Sequence, residues 1–268
     1  MKGLEMKKDK AELKGYSITA KAKEAEVWIY EEIGEYWGMG LSSKQFAKDL
    51  KDLGDVSKIT VHLNSPGGDP FEGAAIYNTL RSHKAEVIVN IDGLAASAAS
   101  IIAMAGNEIN IAENGMFMIH EAAGMTFGRA EDHEHMAEAL RKINGSMMST
   151  YLKRAKIDQE KIAELMAAET WMNADEAVAY GFADQISEPL EMAASFDLSK
   201  FKYRNAPALS MSAEDIPSRP KPEEGAPESA KVDNPPPAEP VRATLHDVTL
   251  YENDRQKRLA HLRRPKGK

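Results

Sequence analysis

The sequence contains no cysteine among its 268 residues. Disulfide bonds are therefore excluded, and we expect the chain to work in a reducing compartment such as the cytoplasm. The sequence also lacks any apolar run of about 18 residues, so we expect no membrane-spanning helix and no membrane partner. Its first residues are charged, which argues against a signal peptide.

Basic residues are fewer than acidic ones, so the formal net charge is -8 at pH 7. A protein body with this charge is not expected to bind nucleic acid. Proline is concentrated late in the chain, with nine of the 13 prolines between Pro207 and Pro240. Such a composition buries too little apolar surface to offset the entropy of ordering, so we predict a disordered linker over residues 190–249. Residues 250–268 are basic, and we expect a solvated tail there.

Residues 25–189 are predicted to be the folded domain, preceded by an N-terminal segment at 1–24. Apolar residues alternate or recur at helical spacing through this region. Strands are predicted at 26–30, 58–63, 86–91, 108–111 and 116–119. Helices are predicted at 43–53, 71–82, 97–105, 129–154, 158–167 and 173–180. Alternation of this kind favours an α/β fold with a mainly parallel sheet.

Three loops follow predicted strands, and functional sites gather at the carboxyl ends of strands in such folds. The first loop is 64–69, Asn-Ser-Pro-Gly-Gly-Asp, which stands just before a helix. Its two glycines permit a sharp turn with uncovered N–H groups, and such groups can hold an oxyanion. Pro-Gly-Gly is also common in plain turns, so this loop alone indicates little.

The second and third loops supply a hydroxyl and an imidazole. Ser97 follows Gly-Leu-Ala-Ala and opens a helix, with small neighbours that let a carbonyl group approach. His120 ends a short apolar strand, where it can accept a proton from a serine. Taken separately, Ser97 is also explained as a helix cap and His120 as a polar residue at a strand edge.

A second group of titratable residues gives a weaker signal. Residues 131–135, Glu-Asp-His-Glu-His, lie in the predicted long helix. His133 and His135 point about 200° apart on a helix, so they do not form one metal site. We therefore predict a solvated helix face, and no metal or other cofactor.

The three loops resemble the Clp protease proteolytic subunit when they are taken together in order and spacing. The resemblance continues at 73–77, Gly-Ala-Ala-Ile-Tyr, and at 174–184, Ala-Asp-Glu-Ala-Val-Ala-Tyr-Gly-Phe-Ala-Asp, and it covers about residues 25–187. Within that family the chain is similar to the prophage head maturation proteases. That similarity is carried by 29–34 (Ile-Tyr-Glu-Glu-Ile-Gly), 37–38 (Trp-Gly), 102–106 (Ile-Ala-Met-Ala-Gly) and 169–172 (Glu-Thr-Trp-Met).

The resemblance implies a ClpP- and crotonase-like fold of repeated β-β-α units, in which the long helix belongs to a handle between rings. It implies Ser97 as nucleophile, His120 as general base, and the backbone N–H groups of Gly68 and Ala98 as the oxyanion hole. Ungapped alignment places Glu169 where the family has the aspartate of its triad. A glutamate can orient a histidine in the same way, with a side chain one methylene longer.

The resemblance further implies a serine endopeptidase that forms a ring-shaped homo-oligomer. As a phage enzyme it would cleave capsid or scaffold protein in the host cytoplasm or within the prohead. Two alternatives remain open. One is a degradative subunit assisted by a Clp-type ATPase, although no segment resembles the apolar N-terminal loop of the housekeeping subunit. The other is a non-catalytic assembly or scaffold protein on the same fold.

Overall fold

The computed structural model describes residues 15–35, 40–188, 198, 201 and 203–207. The 37–38 motif, most of the predicted linker and the basic tail lie outside the described residues. The described strands are β1 (Gly15–Lys21), β2 (Glu24–Tyr30), β3 (Lys58–Ser65), β4 (Glu86–Ala96), β5 (Glu108–Ala112), β6 (Met116–Ile119), β7 (Thr170–Met172) and β8 (Gln185–Ser187). The described helices are α1 (Ser43–Asp52), α2 (Pro70–Ser82), α3 (Ala98–Ala103), α4 (Ala130–Tyr151), α5 (Gln159–Ala167) and α6 (Ala174–Tyr180).

The eight described strands form one sheet in the order β1-β2-β3-β4-β5-β8, with β6 paired to β4 and β7 paired to β6. The pairs β1–β2 and β6–β7 are antiparallel, and the other pairs are parallel. The prediction of an α/β fold with a mainly parallel sheet is therefore confirmed. Strand β4 has two successive partners on one side, since residues 88–91 pair with β5 and residues 94–96 pair with β6.

The core lies between the sheet and the helices that follow its strands. Ile59, Val61 and Leu63 of β3 are fully buried, as the alternating pattern predicts. Helix α2 follows the first loop and α3 follows the second, and these two helices pack on each other. Asp69 caps α2 by accepting the Phe71 N–H at 2.7 Å, so the glycine loop ends in a fixed helix start.

Three strands were not predicted from the sequence, namely β1, β7 and β8. Strand β1 has no buried residue, and β7 and β8 contain three residues each. Such short or exposed segments carry little hydrophobic pattern and form because a neighbouring strand offers backbone partners. Strand β4 also runs to Ala96 rather than Ile91, which brings it to the residue before Ser97.

Several polar residues away from the site have structural partners. Asp184 accepts the Ile109 N–H at 2.8 Å and pairs with Arg154 at 2.5 Å, so it ties the loop after α6 to β5 and to the chain after α4. His62 lies in β3 and contacts Asp92 at 2.8 Å, so it is a residue of the sheet. None of the helices in the described ranges combines the length and apolarity that a membrane span needs.

Candidate active site

Ser97 lies at a strained turn between the central strand and a short helix. Strand β4 ends at Ala96, α3 begins at Ala98, and Ser97 between them has φ 54° and ψ -121°. A positive φ is costly for a residue with a Cβ, so surrounding contacts must hold it. The Ser97 N–H donates to the Met118 carbonyl at 3.0 Å, and its own carbonyl accepts the Ser100 N–H at 3.0 Å. These bonds fix the serine at the carboxyl end of β4.

His120 follows β6 directly, and the strand register brings it to Ser97. Strand β6 lies parallel to the second half of β4, with Met118 opposite Ala96. The two strands therefore end side by side. The Ser97 Oγ and the His120 Nε2 lie 2.7 Å apart. This is the hydrogen-bonding distance that a nucleophile and its general base require.

Two glycines bring the loop after β3 close to this turn. A Cβ on Gly67, where φ is 92°, would lie 2.5 Å from the carbonyl oxygen of Ala96. A Cβ on Gly68, where φ is 146°, would lie 2.0 Å from the carbonyl oxygen of Ile33. Larger residues are therefore excluded by both conformation and space. The Ile33 N–H donates to the Gly67 carbonyl and the Asp69 N–H donates to the Ile33 carbonyl, each at 2.8 Å, so Ile33 holds the loop on both sides of Gly68.

Gly68 and Ser97, the residue just before α3, line the same small cavity. This cavity of about 170 Å³ is lined by Gly68, Ser97 and His120 among others. Ala98 is the first residue of α3, and the first N–H groups of a helix have no partner within the helix. The Ala98 N–H together with a second backbone N–H from Gly68 would give the donor set that a developing oxyanion needs.

Glu169 is the residue that the antiparallel register places beside His120. Ile119 of β6 pairs with Thr170 of β7, so His120 and Glu169 occupy the next position along the two strands. Glu169 is only 6% exposed, and its φ of 51° is unusual for a residue with a side chain. A buried, strained acid next to the imidazole is the arrangement that functional sites commonly show.

The hydrogen bonds of the Glu169 carboxylate lead to a segment far along the chain. Its Oε2 accepts the Arg204 N–H at 2.8 Å, and its Oε1 accepts the Asn205 N–H at 2.7 Å. Oε1 also accepts the indole N–H of Trp171 at 3.3 Å. Within the described part of the chain, none of the hydrogen bonds of Glu169 reaches His120. The carboxylate is therefore near the imidazole but directed elsewhere.

The surroundings shift the pKa values of both side chains downward. Burial lowers the pKa of His120, and the charge of Glu169 opposes that effect while Arg204 adds to it. Burial acts to raise the pKa of Glu169, but the hydrogen bonds from Arg204, Asn205 and Trp171 outweigh burial, so its pKa lies below the ordinary value. The site therefore favours a neutral imidazole and an ionised carboxylate at neutral pH.

Aromatic residues from beyond the predicted domain also line the cavity. We define the strap as Leu198, Phe201 and residues 203–207. Tyr203 meets the His120 ring edge-on, with ring centres 5.4 Å apart, and its hydroxyl donates to the carbonyl of Pro66. None of these strap residues was predicted from the sequence to belong to the site. The available signal was an aromatic pair, Phe201 and Tyr203, next to a proline-rich stretch.

A family model for Clp protease matches residues 10–189 of the 268-residue chain. The chain belongs to the Clp protease family. The α/β fold, with its sheet and flanking helices, agrees with this membership, so the predicted ClpP-like fold is confirmed. The finer similarity to prophage head maturation proteases stays a prediction.

Individual members of the Clp protease family show the same relationship. The ATP-dependent Clp protease proteolytic subunit of Deinococcus radiodurans is 33% identical over 131 residues, which cover 48% of this chain and 64% of the relative. The proteolytic subunit of Bacteroides thetaiotaomicron is 27% identical over 162 residues, covering 60% and 73% of the two chains. A mutant of ClpP1 from Listeria monocytogenes has a similar structure, with a TM-score of 0.53 and 26% identity over 61% of this chain and 91% of that one.

Most of the predicted site residues lie together in this Clp family fold. Ser97, His120 and Gly68 line one cavity, and Ala98 and Glu169 are next to them in sequence or register. The two histidines that were discounted as metal ligands, His133 and His135, are exposed on α4. The strap contacts are the part of the site that sequence reasoning missed.

Proposed function

We propose that this Clp family member is a serine endopeptidase that uses Ser97, His120 and Glu169. The observation that carries the proposal is the 2.7 Å contact between the Ser97 Oγ and the His120 Nε2 at a strained strand-to-helix turn. A serine hydroxyl is a weak nucleophile unless a base takes its proton. Here the imidazole is held neutral by burial, so it can act as that base.

The proposed reaction is acyl transfer followed by hydrolysis. The Ser97 oxygen attacks the peptide carbonyl carbon while its proton passes to the Nε2 of His120. The resulting oxyanion accepts hydrogen bonds from the N–H groups of Gly68 and Ala98. The carbon–nitrogen bond breaks as His120 gives its proton to the leaving amine, and water then attacks the ester with His120 again as base. Glu169 stabilises the imidazolium that forms in both steps.

The proposal is tested with Ser97→Ala, measured as hydrolysis of a short fluorogenic peptide. We expect the rate to fall by about 10⁴-fold or more. Ser82→Ala is the matched control, because among the described residues the Ser82 hydroxyl donates only to the Thr79 carbonyl, and Ser82 lies at the far end of α2. A fluorophosphonate probe should label the wild type at Ser97 and should not label Ser97→Ala. Wild-type turnover in Ser97→Ala would remove this residue from its proposed role.

The substrate we propose is capsid or scaffold protein of a phage head. The support is the similarity of residues 29–34, 102–106 and 169–172 to phage members of the family. A gene neighbourhood with portal and major capsid genes would support this role, as would cleavage of the neighbouring capsid or scaffold protein in vitro. No cleavage by an enzyme that hydrolyses short peptides would count against it.

The second candidate role is that of an ATPase-assisted degradative subunit. The relatives from Deinococcus radiodurans and Bacteroides thetaiotaomicron are named ATP-dependent Clp protease proteolytic subunits, and this favours the second role. Co-purification with a Clp-type ATPase of the host, together with ATP-dependent degradation of a folded protein, would decide for it. The third alternative, a non-catalytic assembly protein, requires that the fluorophosphonate probe fail to react with Ser97.

Self-association into rings also belongs to the proposal. Helix α4 has 22 residues, and its buried residues, Met147, Thr150 and Tyr151, all lie near its C-terminal end. Met125 and Phe127, just before the helix, are 66% and 88% exposed. A long helix with exposed apolar neighbours fits a surface that another copy covers. Sedimentation of the full chain should show a particle several times larger than the 29.5 kDa monomer.

A further inference from the structure

The strap lies across the cavity next to Ser97 and is attached at several points. Leu198 is 7% exposed and packs with Leu94, Ala96 and Met118 in a small apolar cluster. Phe201 stacks on Tyr203 with ring centres 5.7 Å apart. This cluster lies on the carboxyl-terminal part of β4 and on β6, so the strap covers the strand ends that carry the serine and the histidine.

Tyr203 occupies the space that a substrate would need. Its ring meets the His120 ring edge-on, and its hydroxyl donates to the carbonyl of Pro66 in the glycine loop. Burial raises the pKa of the Tyr203 phenol, and the neighbouring Ser97 side chain partly offsets that rise. The phenol therefore lies between the nucleophile and the loop that carries Gly68. A peptide carbonyl must enter this space for the hydroxyl to attack it.

The strap also binds the acid of the proposed triad. The backbone N–H groups of Arg204 and Asn205 donate to the two oxygens of Glu169, and the Asn205 side chain donates to the Ala168 carbonyl at 2.7 Å. Hydrogen bonds from two amides to a carboxylate are strong because the acceptor is charged. They direct the Glu169 carboxylate to the strap, so among the described residues it makes no hydrogen bond that would orient the imidazole of His120.

The positive charge of Arg204 in the strap also disfavours the active state of the site. The Arg204 side chain is close enough to His120 to lower its pKa, so it opposes the positive imidazolium that forms during acyl transfer. Space, hydrogen bonding and charge therefore agree: with the strap in place, the site resists both entry of substrate and protonation of the base.

We propose that the strap is an intramolecular competitor that occupies the peptide-binding cleft and excludes substrate until it is displaced. The predicted effect on activity rests on the proposed peptidase function. The contacts between the strap and the cleft do not depend on that function. Displacement would free the space next to Ser97 and release the Glu169 carboxylate toward His120. The strap and a substrate cannot occupy the cleft at the same time. The rate of peptide hydrolysis therefore depends on the fraction of sites in which the strap is released.

The first experiment measures strap binding without any catalysis. Hydrogen exchange followed by mass spectrometry is applied to the full chain carrying Ser97→Ala, over peptides that include residues 203–207. We expect slow exchange at Arg204 and Asn205, and fast exchange when Tyr203→Ala is added. Exchange of these amides at unprotected rates in the parent Ser97→Ala protein would overturn the proposal.

The second experiment measures the consequence for activity in the full chain. If the strap is closed in about nine sites of ten, Tyr203→Ala raises kcat/KM for a short peptide about tenfold. Tyr203→Phe keeps the ring contacts and should raise it less. Asn110→Ala is a control, because Asn110 bonds to Asn90 and Gln185 on the sheet, outside the site.

The outcomes of the two experiments separate this proposal from the proposed function. If Tyr203→Ala lowers kcat/KM, the strap supports the site and the inference is wrong. If no variant hydrolyses peptides, the peptidase proposal fails, and hydrogen exchange still decides whether the strap binds the cleft. Equal rates in wild type and Tyr203→Ala, with fast exchange at Arg204 and Asn205, would refute strap binding alone.

Discussion

The hydroxyl of Tyr151 lies 2.7 Å from the hydroxyl of Ser100, and both residues are fully buried. Tyr151 is the last residue of α4, whereas Ser100 belongs to α3, one turn beyond Ser97. Ser100 also donates to the carbonyl of Ser97 at 2.5 Å. A chain of hydrogen bonds thus connects the end of α4 to the strained turn at Ser97, and it helps to hold that turn in place.

Tyr151→Phe should lower the free energy of unfolding by about 1 kcal/mol, because it removes one partner of a buried hydrogen bond. Urea unfolding at a fixed protein concentration measures this change. Tyr180→Phe is the matched control at a partly buried tyrosine of α6. Equal stability of the two variants would show that the contact between Tyr151 and Ser100 contributes nothing.

Gly68→Ala should abolish activity and lower stability by several kcal/mol. The new Cβ would lie 2.0 Å from the Ile33 carbonyl oxygen, so the loop has to move, and with it the N–H proposed for the oxyanion. Gly54→Ala is the control, since Gly54 also has a positive φ of 76°, but beyond its chain neighbours the described residues place no atom within 4 Å of the added Cβ. It should cost only about 1 kcal/mol and leave kcat/KM unchanged. Activity of Gly68→Ala near that of the wild type would contradict the role of the loop.

Glu169→Gln should lower kcat by about 10³- to 10⁴-fold, because an amide does not stabilise the imidazolium of His120. Glu169→Asp keeps the charge on a shorter side chain and should retain more activity than Glu169→Gln. Steady-state kinetics with a saturating short peptide makes the comparison. If the two variants lose activity equally, the charge of Glu169 is not what the reaction uses.

The activity should persist to lower pH than an ordinary histidine allows. His120 must be neutral to accept the serine proton, and burial lowers its pKa below 6.5. The imidazole therefore stays neutral to a lower pH, so the midpoint of the acid limb of kcat/KM should lie below pH 6.5. The negative charge of Glu169 raises the pKa of His120, so Glu169→Gln should move the acid midpoint lower still. A midpoint above pH 7 would contradict this assignment.

The predicted strands and helices agree best with the structure where apolar periodicity was strong. Strand β6 was predicted with its observed bounds, and α2 begins one residue earlier than predicted. Predictions were poorer where neighbours rather than sequence decide the conformation. The strand β7, which carries the register between His120 and Glu169, has only three residues and left no pattern to detect.

The sequence by itself determined the kind of chemistry and the residues available for it. The relevant features are local in sequence: glycines at 67 and 68, a serine before a helix of small residues, and a histidine at the end of a strand. Each residue type restricts the backbone conformation at its own position. Their order along the chain was enough to indicate the family. Local patterns fix local conformation because their interactions span only a few residues.

Only the tertiary structure decided which groups face each other. The 2.7 Å distance from Ser97 to His120 depends on the pairing of β6 with the second half of β4, and the binding of Glu169 by Arg204 and Asn205 joins parts of the chain more than 30 residues apart. Such contacts arise from strand register and from burial of Leu198 and Tyr203 against the folded site. These interactions join residues that are distant in sequence, so their free energies depend on both partners. They cannot be predicted from any single stretch of the sequence.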